Sequence, residues 1–545
     1  MTAERGSRIF RATPGLIIAA LALCLVLPFL RLGIPSGHDF EFHMNSWIEV
    51  VDQWKQGVFY PHWAAMAHYG YGEARFIFYP PFSWTLGAAL GAVLPWKIVP
   101  AVYFWIVLTL CGCSMFLLAR RWLPRGDAIF AAALYAANPY HLVIVYWRSA
   151  MAELMAAAYL PLLLLWILRS DEDGPRIVVP LSLLMAAGWL TNVPGAVMMN
   201  YSLALLILCC AIAQRSFAVV AYGALAASLG AGLAGFYLAV VVHERCWVHI
   251  AQVLAPGVSP PENFLFASTK YPEHDRFNLL VSIVAVAQIA ALCGTLFLLR
   301  RLRSQKLWWM LLVWGGVCSV LMARYTLPLW VHLPELRFVQ LPWRWLLCLN
   351  VGFALTIAMA LRAWWLRALA CAAVLGILFF VWHRVQTPWW DTAADIKEML
   401  DNQHDGIGNE GTDEYVPATA DPDEADQKSP LVRFEGSGRA KIRVERWWSE
   451  SRLVDVGASA PGRLVLRLFD YPSWKVTVNG HAVKIETADP SGQMIVPVAA
   501  GENRVQIIFA GGRDRKVGIA IFMFALVILV VWFAIFKRPL RSAAA

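Results

Sequence analysis

The chain has 545 residues, of which 59% are hydrophobic and 15% charged, and its formal net charge is +9. Apolar residues fall in blocks of roughly 17 to 25, the length that crosses a hydrocarbon core, which excludes a soluble or disordered chain and makes this a polytopic α-helical membrane protein. The basic excess sits largely in short loops between the blocks, where insertion bias retains Lys and Arg, so it calls for no nucleic acid partner.

The first block, Gly15 to Leu30, carries no charge and follows Arg5, Arg8 and Arg11. No small-x-small cleavage site comes after it, so it reads as an uncleaved first span. Beyond it lies His38-Asp39-Phe40-Glu41-Phe42-His43, two carboxylates and two imidazoles beside a bilayer. Met44, Trp47, Ile48, Val51 and Trp54 then recur at helical spacing opposite Asn45, Glu49, Asp52, Gln53 and Lys55, with Gly57 as a stop. That pattern predicts an amphipathic helix lying on the outer bilayer surface. An aromatic stretch from Phe59 to Pro81 follows, its glycines and prolines forbidding continuous helix. It reads either as an interfacial anchoring belt or as a rim for a lipid chain or sugar ring.

Further spans are expected at 98–119, 128–143, 151–168, 177–191, 195–213, 217–242, 279–299, 307–323, 343–361, 368–382 and 517–536. The stretch 82–96 is ambiguous. The clusters Arg120-Arg121-Arg125, Arg215, Arg300-Arg301-Arg303-Lys306, Arg362-Arg367 and Lys537-Arg538-Arg541 all face inward with the N-terminus only if 82–96 makes no crossing. That gives about twelve spans, and a full crossing there would give about thirteen at the cost of one violated loop. Of ten cysteines only Cys246 lies outside an apolar block, so no disulfide framework is present.

On this topology 31–81, 243–278 and 383–516 face outward. The chain then divides into a transmembrane domain, 1–383, with outer loops at 31–81 and 243–278; an acidic linker, 384–430; an extracytoplasmic all-β domain, 431–516; and a final span with a basic tail, 517–545. The linker is acidic and short of apolar runs, which predicts a mobile loop after a short helix. From Leu431, alternation predicts short strands at 441–447, 453–457, 463–469, 474–478, 494–498 and 503–509, with Asn479-Gly480 as a tight hairpin turn, in a small sandwich.

A carboxylate at a membrane surface serves as a general base for an acceptor hydroxyl, or as an oxygen ligand for a divalent cation such as Mg or Mn. Asp39 and Glu41 share one face if the segment is extended and diverge if it is helical. His38 and His43 with the carboxylates allow a transition-metal reading, although their spacing matches no helical pair and no third ligand is evident. Against both stands the plain reading, in which Asp39 caps a helix and the histidines suit the interface. Arg148 and Glu153, His243 and Arg245, and Arg337, Gln340 and Arg344 are outer polar groups able to meet a phosphate, or else headgroup contacts and interhelix pairs.

Gly37-His38-Asp39, Phe42-His43, Tyr60-Pro61-His62-Trp63, Gly70-Tyr71-Gly72 and Phe76 to Pro81 together resemble the bacterial membrane family labelled 6-pyruvoyl-tetrahydropterin-synthase-related, a label that implies no pterin chemistry. Arg337 to Arg344, Asp470 to Val476 and Pro497 to Gly501 resemble the related YfhO-like membrane proteins, and both groups look like members of the GT-C glycosyltransferase superfamily. The resemblance implies a GT-C-like membrane core in the bacterial cytoplasmic membrane and a sugar carried on a polyprenyl phosphate. It also implies an essential acid in the first outer loop, which maps onto Asp39 with Glu41 second, and a glycan, lipid or protein acceptor. His38, His43, Arg148, Glu153, His243, Arg245, Arg337, Gln340 and Arg344 are the expected substrate contacts. Two other functions fit the sequence: a transporter or flippase for a lipid-linked saccharide, with its polar site at mid-membrane, and a non-catalytic envelope assembly protein.

Overall fold

The computed structural model describes residues 2–384, 390–424 and 426–537. Among them nine helices are long and apolar enough to cross a membrane. Two further candidates are broken: Ala218–Leu233 and Gly235–Trp247 meet at 74°, and Lys306–Leu321 and Arg324–His332 at 88°. With the shorter apolar helix Trp364–Ile377, these fall on the stretches expected from hydropathy. The basic tail beyond Lys537 lies outside the described residues.

The ambiguous stretch forms the helix Pro81–Gly91, 11 residues long. At 1.5 Å per residue it extends about 16 Å, half of a hydrocarbon core of about 30 Å. It packs on the helix Phe40–Lys55, where a Cβ at Gly87 would overlap the Trp47 indole.

Helix Phe40–Lys55 is not the surface helix its pattern predicts. Met44, Trp47 and Ile48 are buried as expected, but so are Glu49 and Gln53 from the face read as solvated. The aromatic stretch after it covers that face, and the same stretch is the floor of the β-domain instead of a free interfacial belt. Trp63 packs against Tyr471, Trp474 and Phe509, and Tyr71 stacks on Phe469 at 5.1 Å.

Two short strands, β1 (Ile34–Pro35) and β2 (Trp390–Asp391), pair antiparallel and tie the chain just ahead of Asp39 to the start of the acidic segment. That segment is ordered where described. Thr392 and Asp395 form a capping box on the helix Ala393–His404. Residues 409–415 are then stitched to the first loop by Tyr69 N to Asn409 O, Asn409 N to Met66 O and Ala74 N to Tyr415 O.

The sandwich contains β3 (Val432–Gly436), β4 (Ala440–Trp447), β5 (Ser451–Ala458), β6 (Gly462–Phe469), β7 (Trp474–Val478), β8 (His481–Ala482), β9 (Glu486–Thr487), β10 (Gln493–Val498) and β11 (Gly501–Phe509). The sheet orders are β3-β6-β10-β9 and β4-β5-β11-β7-β8. Asn479 and Gly480 have φ of 53° and 83°, the left-handed pair that a two-residue turn between β7 and β8 requires. Alternating residues such as Val454, Val456, Leu464, Leu466, Val505 and Ile507 fill the space between the sheets.

Candidate active site

Four span ends meet beside Asp39: Thr13–Leu32 ends ahead of it, Arg125–Arg148 ends in Arg148, Met151–Leu168 begins just before Glu153, and Pro342–Ala360 begins just before Arg344. The Glu153 carboxylate is the hub. Arg148 Nη1 donates to Oε2 at 2.5 Å, Arg344 Nε donates to the same oxygen at 2.9 Å, and the Tyr140 hydroxyl donates to Oε1 at 2.6 Å. All four side chains are buried. Two guanidiniums against one carboxylate leave one positive charge in a dry site, and the carboxylate nearest to balancing it is Asp39, whose Oδ2 lies 3.9 Å from Arg148 Nη2. The Asp39 side chain keeps 39% of its surface accessible, against 4% for Arg148.

Three backbone irregularities surround this hub. Ile144–Arg148 is a turn of π-helix, and Ser149 follows with φ 51°. Gln340 has φ 64° and ψ −60°, and Leu341 N bonds Val339 O at 2.7 Å across it, a γ-turn that side-chain-bearing residues rarely adopt. The turn is held from both sides: Arg344 Nη1 donates to Gln340 Oε1 at 2.7 Å, and Gln340 Nε2 donates to Val253 O at 2.6 Å. Strain of this kind persists only where its surroundings over-determine it.

Asp39 is fixed through its backbone, its N–H donating to Arg148 O at 3.0 Å. Gly37 is pressed against the Arg148 and Ser149 backbone so closely that a Cβ would overlap it. Helix begins at Phe40, with Asp39 at the N-cap position and no capping bond from its side chain. Asp39 and Glu41 therefore diverge: Asp39 faces Arg148, while Glu41 is exposed and its charge acts on Asp391. Burial, and secondarily that charge, push the Asp391 carboxyl up to about 6. Diverging in this way, Asp39 and Glu41 do not converge on one cation. Among the described residues no three His, Cys, Asp or Glu side chains gather as a metal site.

The remaining sequence candidates separate. His38 is exposed beside Asp39, its ring edge-on to Phe277 at 5.6 Å. His43 is buried among Phe42, Trp47 and Tyr79 with neither ring nitrogen partnered, and burial lowers its pKa to about 4, so it is a neutral core residue. Arg337 is exposed over the ring of its neighbour Phe338. His243 and Arg245 are exposed on the β-domain side, where buried Glu244 between them accepts from the Tyr471 hydroxyl at 2.6 Å. The structure thus unites Asp39, His38, Arg148, Glu153, Gln340 and Arg344, and leaves out Glu41, His43, Arg337, His243 and Arg245. Sequence reasoning missed Tyr140 and Trp343, the latter lying under the Arg148 guanidinium at 5.0 Å. The signal for Tyr140 was Asn138-Pro139, a helix restart whose Asn138 side chain accepts from Tyr140 N at 2.9 Å.

A second buried network joins the first loop to the acidic segment. Glu73 accepts from Arg75 Nε at 2.5 Å and from Thr412 N at 2.8 Å, and its other close neighbour is His68 at 2.9 Å. Burial works to raise the Glu73 pKa, but Arg75 and His68 overcome it and hold the group at about 2. Glu49 accepts from Ala65 N and Met66 N, and there burial wins and pushes its carboxyl up to about 7.

Two cryo-EM structures of the arabinofuranosyltransferase AftD from mycobacteria, one of them a mutant, are similar to this chain. The mutant is 16% identical with a TM-score of 0.42, covering 69% of this chain and 28% of its own, and the other is 14% identical with a TM-score of 0.40, covering 71% and 27%. The chain thus spans less than a third of the length of either. No curated protein matches its sequence. The family described as a 6-pyruvoyl-tetrahydropterin synthase related domain, a membrane protein, matches residues 76–387, a segment that takes in Arg148, Glu153 and Arg344 and stops ahead of the β-sandwich. That match extends over more than half of the sequence, and the chain belongs to the 6-pyruvoyl-tetrahydropterin synthase related family of membrane proteins.

Proposed function

We propose that this protein is a membrane glycosyltransferase that takes a sugar from a polyprenyl-phosphate donor and passes it to a hydroxyl acceptor on the extracytoplasmic face of the bacterial cytoplasmic membrane. The observation that carries the reading is the accessible Asp39 carboxylate held 3.9 Å from Arg148, at the edge of a buried charge cluster built from the ends of three spans. In the reaction the acceptor oxygen forms a bond to the anomeric carbon, the bond from that carbon to the phosphate oxygen breaks, and the acceptor proton passes to Asp39. Phosphate leaves as an anion and needs no protein acid. Once Asp39 is neutralised, the unbalanced positive charge of Arg148, Arg344 and Glu153 is left to stabilise the departing phosphate in a low-dielectric surrounding. The β-sandwich, resting on the first loop through Trp63 and Tyr71, serves to present the acceptor.

The test is transfer from polyprenyl-phosphate sugars to glycan and lipid acceptors in proteoliposomes. Asp39→Asn is expected to lower the rate by about 10²- to 10⁴-fold, the usual contribution of a general base, without loss of donor binding. Unchanged transfer by this variant overturns the assignment.

One observation favours a second reading, movement of a lipid-linked saccharide across the membrane. Within the spans Gln288 Nε2 donates to Asn138 Oδ1 at 2.8 Å, while Asn138 Nδ2, Gln288 Oε1 and both polar side-chain atoms of Asn350 are buried without partners. Buried amides at membrane depth mark polar pathways as well as interhelix contacts. Saccharide efflux that Gln288→Leu abolishes and Asp39→Asn leaves intact would favour transport.

A further inference from the structure

His38 precedes Asp39 in the chain and Trp147 precedes Arg148, and the two rings meet on one phenylalanine. Phe277 lies 5.6 Å from the His38 ring, 5.6 Å from the Trp147 ring and 5.6 Å from the Trp343 ring. Phe277 and Trp343 are buried, whereas Trp147 is half-buried and His38 exposed, so the wall has a packed back and an accessible edge. Its position relative to the charges is fixed by the backbone bond from Asp39 to Arg148 and by the Arg148 guanidinium stacked over Trp343. The Trp343 indole N–H is buried with no partner, an unsatisfied donor within the same cluster.

Aromatic residues at span ends commonly anchor a protein at the interface. This wall differs in adjoining a carboxylate and a buried guanidinium, and that decides what fits it. A prenyl chain laid here would strip water from Asp39 without replacing its hydrogen bonds, a cost of several kcal/mol for a charged group. A sugar ring has one weakly polar C–H face for the rings and hydroxyls at its rim that both donate and accept. We propose that His38 and Trp147, backed by the buried Phe277, form a carbohydrate subsite that holds a sugar ring with its hydroxyls toward Asp39.

The use of this subsite in transfer rests on the glycosyltransferase reading; sugar binding does not. Saturation-transfer difference NMR on the full chain in nanodiscs tests it, with methyl pyranosides and methyl furanosides as probes and farnesyl phosphate as a sugar-free competitor. At least one glycoside is expected to show saturation concentrated on one ring face. Trp147→Ala is expected to weaken that binding about tenfold, the equivalent of one lost ring contact, and Trp147→Phe to preserve it within about threefold. An unchanged melting temperature shows that either variant is folded. If no glycoside gives a signal that Trp147→Ala removes, or if farnesyl phosphate displaces the glycoside and itself depends on Trp147, the wall is a lipid contact and the proposal fails. Glycoside binding that persists in a protein without transferase activity upholds the subsite and sinks only the reading of the reaction.

Discussion

The Arg148 guanidinium lies 2.5 Å from the Glu153 carboxylate, joining the end of one span to the beginning of the next across the left-handed Ser149. Glu153 is the only carboxylate within salt-bridge distance of Arg344 among the described residues, so its charge holds two buried cations. Glu153→Gln keeps the volume and most hydrogen bonds but leaves Arg344 without a carboxylate and Arg148 with only Asp39, at 3.9 Å. We expect a loss of about 3–5 kcal/mol, read from thermal or denaturant unfolding in detergent. Replacing all three groups by apolar residues, Arg148→Met with Glu153→Leu and Arg344→Met, is expected to recover much of that stability. Activity should stay lost, because the cluster's field on Asp39 is gone. Recovery of activity in the triple variant would separate the cluster from the chemistry.

Gly37 sits where a Cβ would overlap the backbone of residues 148 and 149, with Arg148 O at 2.7 Å. Gly37→Ala must push the Asp39 segment off that surface and stretch the bond from Asp39 N to Arg148 O. Overpacking of this kind costs about 1–3 kcal/mol. The larger effect is expected in transfer rate, since a displacement of about 1 Å at a reacting group lowers rates about 10²-fold. Gly126→Ala, where nothing lies within 4 Å, is the control and should leave both quantities unchanged.

These two positions also mark what was legible in the sequence. Spans and strands follow from local periodicity, and Asp39, Arg148, Glu153 and Arg344 each stand out as charges at span ends. Their union does not, because the contact from Arg344 to Glu153 bridges 191 positions and the π-turn that aims Arg148 inward has no composition signature. The same limit hides Glu49 and Gln53. On a helical wheel they belong to a wet face, and only the return of residues 60–66 over that face buries them, with Ala65 N and Met66 N bonding Glu49. For Glu244, flanked by His243 and Arg245, sequence favoured the flanking basic pair, while the structure buries the acid against Tyr471.

Glu49 gives a pH prediction. Its folded pKa is raised to about 7 by burial, above an unfolded value of about 4.3. The folded state then binds more protons than the unfolded state between those values, so the Glu49 contribution is fully present below about pH 4.3 and is lost as pH rises through 7. Its slope is at most about 1.4 kcal/mol per pH unit. Glu73, held near 2, acts in the opposite sense and only under more acidic conditions. Glu49→Gln should therefore flatten the fall in melting temperature between about pH 5 and pH 7 relative to the parent. Parallel curves for the two proteins would mean that Glu49 is ionised throughout and held by charge.

Arg452 offers the sharpest test of how the β-domain is seated. Its guanidinium is buried with Cζ 5.0 Å from the Trp447 ring and 4.7 Å from the Trp474 ring. Its hydrogen bond goes to Ser449 O at 3.2 Å, its Nε has no partner, and no carboxylate pairs with it among the described residues. Burial lowers its pKa to about 9 against the opposing charges of Glu450 and Glu49, so at neutral pH it is a charged group held by ring contacts, one carbonyl and carboxylates that do not touch it. Cation–π attraction of about 2 kcal/mol is smaller than the several kcal/mol that desolvating a cation costs, so packing, not charge, should dominate at this site. Arg452→Met, which keeps the stem between the indoles, is expected to leave stability unchanged or raise it by about 1–3 kcal/mol. Arg452→Ala, which leaves a cavity, should lower it by about 2–4 kcal/mol. The comparison is read from unfolding of the full chain in detergent, with release of the β-domain followed by proteolysis near Ser449. If Met costs as much as Ala, the charge itself is what seats the domain, and Glu450, ahead of Glu49 across the seam, is the group to pair with it in a double-mutant cycle.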